Sequence, residues 1–87
     1  LISEMPRDWV LYEGRADLYF MMGKNARAMA DIEKVFTESE PSAALYVLRG
    51  KIKLAQYEKE RAAIDFKKAE SMGYDKEVIK ELMKLAK

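Results

Sequence analysis

The feature that most constrains the fold of this chain is an internal repeat with a period of 34 residues. Residues 9–42 and 43–76, compared without gaps, are identical at seven positions, where about two identities are expected by chance. The identical pairs are Leu11/Leu45, Tyr12/Tyr46, Arg15/Arg49, Arg27/Arg61, Ala28/Ala62, Asp31/Asp65 and Lys34/Lys68. A fixed period of this length indicates a supersecondary unit that occurs twice, so both copies should fold alike.

Each copy contains two stretches with the apolar spacing of an amphipathic helix. In the first stretch, spacings of three and four residues predict one wide packing face. That face consists of Leu11, Tyr12, Arg15, Ala16, Leu18, Tyr19 and Met22. Pro41 cannot continue a helix and separates the copies, and Gly73 precedes a fifth amphipathic stretch. We therefore predict an all-α chain with helices over about 9–22, 26–38, 43–56, 59–72 and 76–87. The predicted N-caps are Asp8, Ser42 and Asp75.

Aromatic and small residues recur at fixed places in both copies. The second copy has Tyr46, then Gly50, and then Ala62 and Phe66 in an A-x3-F arrangement. The first copy has Tyr12, Ala16, Ala28 and Ile32 in the same places. Together with the period, this arrangement resembles the tetratricopeptide repeat (TPR), whose pattern is W-x2-L-G-x2-Y, then A-x3-F, then P. The departures are Arg15 and Arg49, which replace Leu, and Lys53, which replaces the second Tyr.

The resemblance implies an α-solenoid, a TPR-like right-handed superhelix of two antiparallel helix-turn-helix repeats plus a capping helix. Residues 1–8 are then the end of a preceding segment, residues 9–42 and 43–74 are the repeats, and residues 75–87 are the capping helix. We expect the chain to be a part of a longer protein. The lysine-rich face of the last helix also fits a membrane-surface or calmodulin-target segment, but capping is favoured because the helix directly follows a repeat.

The residue composition excludes most enzyme and metal-site chemistry. The chain has no Cys and no His, which removes thiol nucleophiles, Ser-His-Asp triads and the usual zinc sites. The Asp and Glu residues are dispersed among lysines, and the sequence has no Gly-rich phosphate-binding loop. We therefore predict no enzyme activity and no catalytic, cofactor-binding or metal-binding residues.

Charge and hydropathy limit the classes of partner. The formal net charge is +1, from 16 basic and 15 acidic residues, so it does not favour nucleic acid or an anionic membrane. The sequence also has no run of 18 apolar residues that would span a bilayer. Aromatic side chains among basic ones can stack on bases, but their helical spacing here assigns them to the core. Neither nucleic acid nor a membrane is an expected partner.

Two arginines stand where the repeat pattern has an apolar residue, and each is followed 16 residues later by an aspartate. Burying an unpaired guanidinium is costly, and its planar fork fits a carboxylate. We therefore predict two equivalent Arg–Asp bridges between paired helices, a structural role that is favoured over ligand binding. The predicted structural residues are Arg15, Asp31, Arg49 and Asp65, together with Ala28 and Ala62 at the helix crossings.

The resemblance also implies a binding surface, because in this family the first helix of each pair lines a concave groove for a peptide or a partner helix. The corresponding residues are Val10, Glu13, Asp17, Phe20 and Met21 in the first copy and Ala44, Val47, Lys51, Leu54 and Ala55 in the second. A protein or peptide is therefore the expected ligand, with its identity open. Part of this strip can instead pack against neighbouring repeats.

Two further interpretations concern the partner. One family subtype binds acidic C-terminal peptides of chaperones through Lys, Asn and Arg residues. Here Glu13, Asp17 and Leu48 occupy those positions, so that ligand class is not expected. The alternative function is a structural or oligomerising segment that stacks on other repeats, with self-association through the N-terminal edge. That edge comprises Leu1, Ile2, Met5 and Trp9.

Overall fold

The computed structural model describes the backbone of residues 9–86 and the side chains of residues 11–86. Five α-helices follow one another: α1 (Trp9–Met21), α2 (Asn25–Glu38), α3 (Ala43–Ala55), α4 (Lys59–Ser71) and α5 (Lys76–Leu85). Residues 9–86 contain no β-strand, so the prediction of an all-α helical repeat is confirmed. The predicted helix ends were accurate to within two residues. The predicted cap at Asp8 lies outside the described residues.

The chain divides into two compact units, with the boundary between Pro41 and Ser42. In the first unit α1 packs against α2, and in the second α3 packs against α4, which also packs against α5. Each copy of the sequence repeat therefore folds into one pair of packed helices. The fifth helix belongs to the second unit.

Two of the predicted N-caps are observed. The Ser42 hydroxyl oxygen accepts a hydrogen bond from the Leu45 amide at 3.2 Å, at the start of α3. One carboxylate oxygen of Asp75 accepts from the amides of Glu77 at 2.8 Å and Val78 at 3.4 Å, at the start of α5. These contacts satisfy amides that have no partner within the helix, which fixes where α3 and α5 begin.

The turns that end α1 and α3 need a left-handed residue at the same repeat position. In the first turn this residue is Gly23, with φ of 77°. In the second it is Tyr57, with φ of 63°, although only glycine adopts this conformation without steric cost. Tyr57 is 89% exposed, so packing does not offset the cost. The turn geometry is thus imposed by the helix pair and not by the residue.

The first unit has a narrower packing face than the periodicity predicts. Tyr12 and Ala16 are buried, as are Ile32 and Val35 of α2. In contrast, Leu18 is 55% exposed, and two more members of the predicted α1 face, Leu11 and Met22, are 42% and 54% exposed. The prediction of a wide packing face was wrong for these three residues, because α2, which packs against α1 in the same unit, does not cover them.

The core of the second unit is built by three helices. Five buried side chains form one cluster: Val47, Ala62, Phe66, Ala69 and Ile79. The amphipathic helix α5 contributes Ile79 and packs Leu82 and Met83 against the cluster. Its apolar side is therefore partly buried, while the capping role of this helix stays a prediction.

In the second unit, Gly50 of α3 lies very close to Phe66 of α4. A Cβ atom at position 50 would lie 2.5 Å from Cε1 of the Phe66 ring. The equivalent positions of the first unit hold Ala16 and Ile32, which are both fully buried. The two units therefore compensate in volume. The second unit combines the smaller residue on its first helix, Gly50, with the larger residue on its second helix, Phe66, whereas the first unit combines Ala16 with Ile32. Ala28 and Ala62, the alanines predicted at crossings, also have no exposed surface.

Candidate interaction surface

Each helix pair is joined by a bidentate ion pair. Arg49 donates from Nε to Oδ2 of Asp65 at 2.9 Å and from Nη2 to Oδ1 at 2.7 Å. In the first unit, Arg15 donates from Nε to Oδ2 of Asp31 at 2.7 Å, and its Nη2 also donates to Oδ1. Both predicted pairs are therefore in contact, α1 to α2 and α3 to α4.

Aromatic rings and a lysine surround these ion pairs. The guanidinium of Arg15 lies 5.7 Å from the ring centre of Tyr12 and 5.6 Å from that of Tyr19. The guanidinium of Arg49 lies 5.6 Å from the Tyr46 ring, and the repeat position of Tyr19 is taken by Lys53. These distances are within the range of cation–π attraction.

Lys53 changes the charge balance in the second unit. Its ammonium lies 3.2 Å from Oδ2 of Asp65, so that carboxylate contacts two cations. The aspartates are the buried partners in both units, with Asp31 4% and Asp65 1% exposed. Hydrogen bonding to Asp31 is the main cause that raises the pKa of the Arg15 guanidinium, which keeps it cationic.

The buried polar side chains of the described residues all have hydrogen-bond partners. The carboxylates of Asp31 and Asp65 also accept arginine hydrogen bonds through both oxygens and are almost completely buried, so a ligand has little access to them. This arrangement supports the structural role of the Arg–Asp pairs, and it leaves ligand recognition to residues outside them.

On α1, the predicted groove residues are accessible to different degrees. Met21 is 74% exposed and Asp17 is also exposed. Glu13 and Phe20 are half-buried, and the side chain of Val10 lies outside the described residues. This helix therefore offers apolar and acidic groups together.

On α3, one predicted groove residue must be reassigned. Val47 is only 2% exposed and belongs to the core cluster of the second unit, so its prediction as a partner contact was wrong. Leu54 is half-buried and packs against the same cluster, which leaves only part of its surface accessible. Lys51 is half-buried, and Ala44 and Ala55 are exposed.

The repeat comparison did not single out the most exposed aromatic side chain of the second unit, Tyr57. It lies in the turn between α3 and α4, beside an open depression of about 450 Å³ lined by residues 57–61. Comparison of the repeats could have identified Tyr57, because it stands at the turn position that Gly23 occupies in the first repeat, where a bulky side chain is unusual. The sequence reasoning also missed Ile64, which is 66% exposed on α4.

Within the described part of the chain, no group of three or more acidic side chains is arranged to hold a metal ion. None of the helices in that part is long and apolar enough to cross a bilayer.

The chain matches no protein-family model and no curated protein. Among solved structures, it is similar to the crystal structure of a tetratricopeptide repeat protein from Parabacteroides merdae ATCC 43184, with 92% sequence identity and a TM-score of 0.94. The similarity covers 98% of this chain and 33% of that chain, so the chain spans about one third of the solved protein. The repeat period, the paired helices and this similarity show that the chain has a tetratricopeptide-like helical-repeat fold.

Proposed function

We propose that this chain is a non-enzymatic protein-interaction module that binds a peptide or a partner helix along the first helix of each repeat. The similarity to a tetratricopeptide repeat protein supports the general role, because such repeats typically mediate contacts between proteins. The observation that carries the finer proposal is on α1, where the 74% exposed Met21 adjoins half-buried Phe20 and exposed Asp17. An adaptable apolar side chain beside an aromatic ring and a carboxylate is a suitable anchor site for a peptide.

The charges on α1 favour a basic ligand. Asp17 is exposed and Glu13, one turn earlier, is half-buried on the same side of the helix. Carboxylates at this spacing attract Lys or Arg side chains and repel an acidic terminus. The α1 surface therefore fits a ligand segment with a basic residue next to an apolar one, and not the acidic chaperone peptides.

The charge on α3 differs from that on α1. Lys51 stands at the repeat position of Asp17, between the exposed small residues Ala44 and Ala55. Small side chains allow a ligand backbone to approach closely, while a lysine selects an acidic group or a carbonyl oxygen. The α3 surface, taken by itself, would therefore accept an acidic or neutral segment, in contrast to the basic segment that suits α1.

Selection from a random peptide display library, followed by calorimetry, tests this function. Enriched peptides should combine Lys or Arg with a large apolar residue. Met21→Ala should weaken their binding by at least about 1 kcal/mol, because exposed anchors at the centre of a small interface dominate its energy. Phe20→Ala should have a similar effect.

Two substitutions serve as controls. Met72→Ala removes a methionine that is 43% exposed at the end of α4, and Lys67→Ala removes an exposed lysine on the same helix. Neither should change binding. If these variants weaken binding more than Met21→Ala does, the second helices carry the site and the proposal is wrong. Enrichment of acidic peptides would contradict the proposed role of Asp17.

A further inference from the structure

The exposed side of α4 carries a large apolar side chain among cations. Ile64, in the middle of the helix, is 66% exposed. The residues three and four positions away share its side of the helix, and all of them are exposed: Glu60, Arg61, Lys67 and Lys68. Arg61 pairs with Glu58 at 3.5 Å, whereas neither Lys67 nor Lys68 has an ion-pair partner among the described residues. Ile64 and its four neighbours form what we call the α4 surface, which is apolar at its centre and positively charged around it.

The first repeat lacks this combination. Ala30 and Glu33 stand at the repeat positions of Ile64 and Lys67, and both are exposed. Isoleucine has a lower helix propensity than alanine, so Ile64 does not favour the helix itself. Because Ile64 and Lys67 are also exposed, neither residue improves the packing of the second unit. An apolar residue placed among lysines on a surface is explained by a contact with another molecule.

Tyr57 adds an aromatic ring at the start of α4. It is 89% exposed, and it shares an open depression with Arg61, because residues 57–61 line that depression. Its left-handed φ of 63° costs stability that the exposed ring does not recover within the fold. Strained residues that packing does not require are typical of sites with a function. The ring therefore extends the contact area that the α4 surface offers to a partner.

Charge is divided unequally between the two units. Residues 1–41 contain 8 acidic and 5 basic side chains, whereas residues 42–87 contain 7 acidic and 11 basic ones. The net charge of +1 therefore combines an acidic first unit with a basic second unit. At low salt, the second unit of one molecule is attracted to the first unit of another molecule and is repelled by its second unit.

We propose that the α4 surface of one copy of this chain binds the α1 surface of a second copy, with Ile64 against Met21 and a lysine against Asp17. This inference rests on the proposed function, because it takes α1 to be a site for a basic residue next to an apolar one. The α4 surface presents that combination on a preformed helix. The α3 surface is disfavoured as the receptor, since its Lys51 would repel the α4 lysines. Because each copy has one surface of each kind, the contact is head-to-tail.

Sedimentation equilibrium of the whole chain tests this association. Two exposed helix sides make a small interface, so we expect a reversible association with a dissociation constant on the order of 100 µM. Raising the NaCl concentration from about 50 mM to about 500 mM should weaken it at least about threefold, because exposed charges are screened. A chain that remains monomeric up to about 1 mM at low salt would overturn the inference. The proposed function would still stand in that case if Met21→Ala weakened the binding of the selected peptides.

Two single substitutions test whether the two surfaces meet across copies. Met21→Ala alters the α1 surface and Ile64→Ala alters the α4 surface, and both side chains are largely exposed, so the midpoint of thermal unfolding should not fall. Each variant alone should associate at least about tenfold more weakly than the original chain. An equimolar mixture retains one intact contact, from Ile64 of one variant to Met21 of the other. The mixture should therefore associate more tightly than either variant alone.

Met72→Ala is the matched control, because it shortens a 43% exposed side chain directly after α4 and outside the α4 surface. It should leave the dissociation constant unchanged. A mixture that associates no better than the separate variants would overturn the inference, because Ile64 and Met21 would not then meet. Undiminished association of Ile64→Ala would also overturn it and would place self-association at another surface, such as the N-terminal edge.

Discussion

Replacing Gly50 with alanine tests how closely α3 and α4 approach each other. The new methyl group would lie 2.5 Å from Cε1, 2.8 Å from Cδ1 and 3.0 Å from Cζ of Phe66. Ordinary contacts between carbon atoms are about 3.5–4.0 Å, so the ring or the helix must retreat by about 1 Å. The Phe66 ring has no exposed surface and is enclosed by the core cluster, which leaves it no open direction.

Two opposing terms set the size of the effect. Overpacking a well-filled core costs about 1–3 kcal/mol. Alanine is better than glycine in a helix interior by about 1 kcal/mol, which offsets part of that cost. We therefore expect Gly50→Ala to lower the free energy of unfolding by up to about 2 kcal/mol, whereas helix propensity alone predicts an increase of about 1 kcal/mol.

The first repeat indicates how to rescue this variant. It has alanine and isoleucine at the two positions, Ala16 and Ile32, and both are fully buried. Phe66→Ile alone should cost about 1–2 kcal/mol because it leaves a cavity. The double variant restores a pair that the fold already accommodates, so its cost should be smaller than the sum of the two single costs by at least about 1 kcal/mol.

Urea titration monitored by circular dichroism measures all three variants, and Gly14→Ala is the matched control. That substitution is also made in a helix interior, but it places its methyl group in open space. It should raise the free energy of unfolding by up to about 1 kcal/mol. Equal stabilisation by both alanine substitutions would show that Gly50 is not at a close crossing. Strictly additive costs in the double variant would show that the two volumes do not compensate.

Three further predictions concern other contacts. Tyr57→Gly should stabilise the chain by about 0.5–1 kcal/mol in the same titration, because glycine removes the left-handed strain and the exposed tyrosine ring contributes little; a loss of stability would refute this explanation. Arg49→Met and Asp65→Asn should each destabilise, with a coupling of at least about 0.5 kcal/mol in a double-mutant cycle, and zero coupling would contradict a direct bridge. Ala62→Leu should cost about 1–3 kcal/mol, and an unchanged urea midpoint would mean that this fully buried position has spare volume.

The elements that the sequence predicts well are those fixed by local rules. The helix pairs follow from apolar spacing and from Pro41, and the caps at Ser42 and Asp75 follow from residues whose side chains accept amide hydrogen bonds. The Arg–Asp pairs were predictable because both partners recur at the same repeat positions, and an isolated charge would not be retained twice in a core.

The surface was harder to predict, because periodicity assigns a residue to a side of a helix but does not say what covers that side. Val47 has the position of a groove residue, yet it is buried in the cluster that α4 and α5 complete. Leu18 has the position of a core residue, yet it is exposed. Burial at such positions depends on which neighbouring helices are present, and this is a property of the assembled fold.

The two repeats share the Arg–Asp pair that joins their helices and differ along the proposed peptide site. The arginine of the first helix and the aspartate of the second are identical in both repeats, whereas the residues of the proposed peptide site are not. There, Asp17 corresponds to Lys51, and Met21 corresponds to Ala55. These two differences between the repeats do not affect the Arg–Asp pair or the packing at positions 16 and 50, because those contacts lie on other sides of the first helix. The fold therefore places little constraint on the outward residues, so their chemistry is free to match a partner, and the differences between α1 and α3 should determine which segment each repeat accepts.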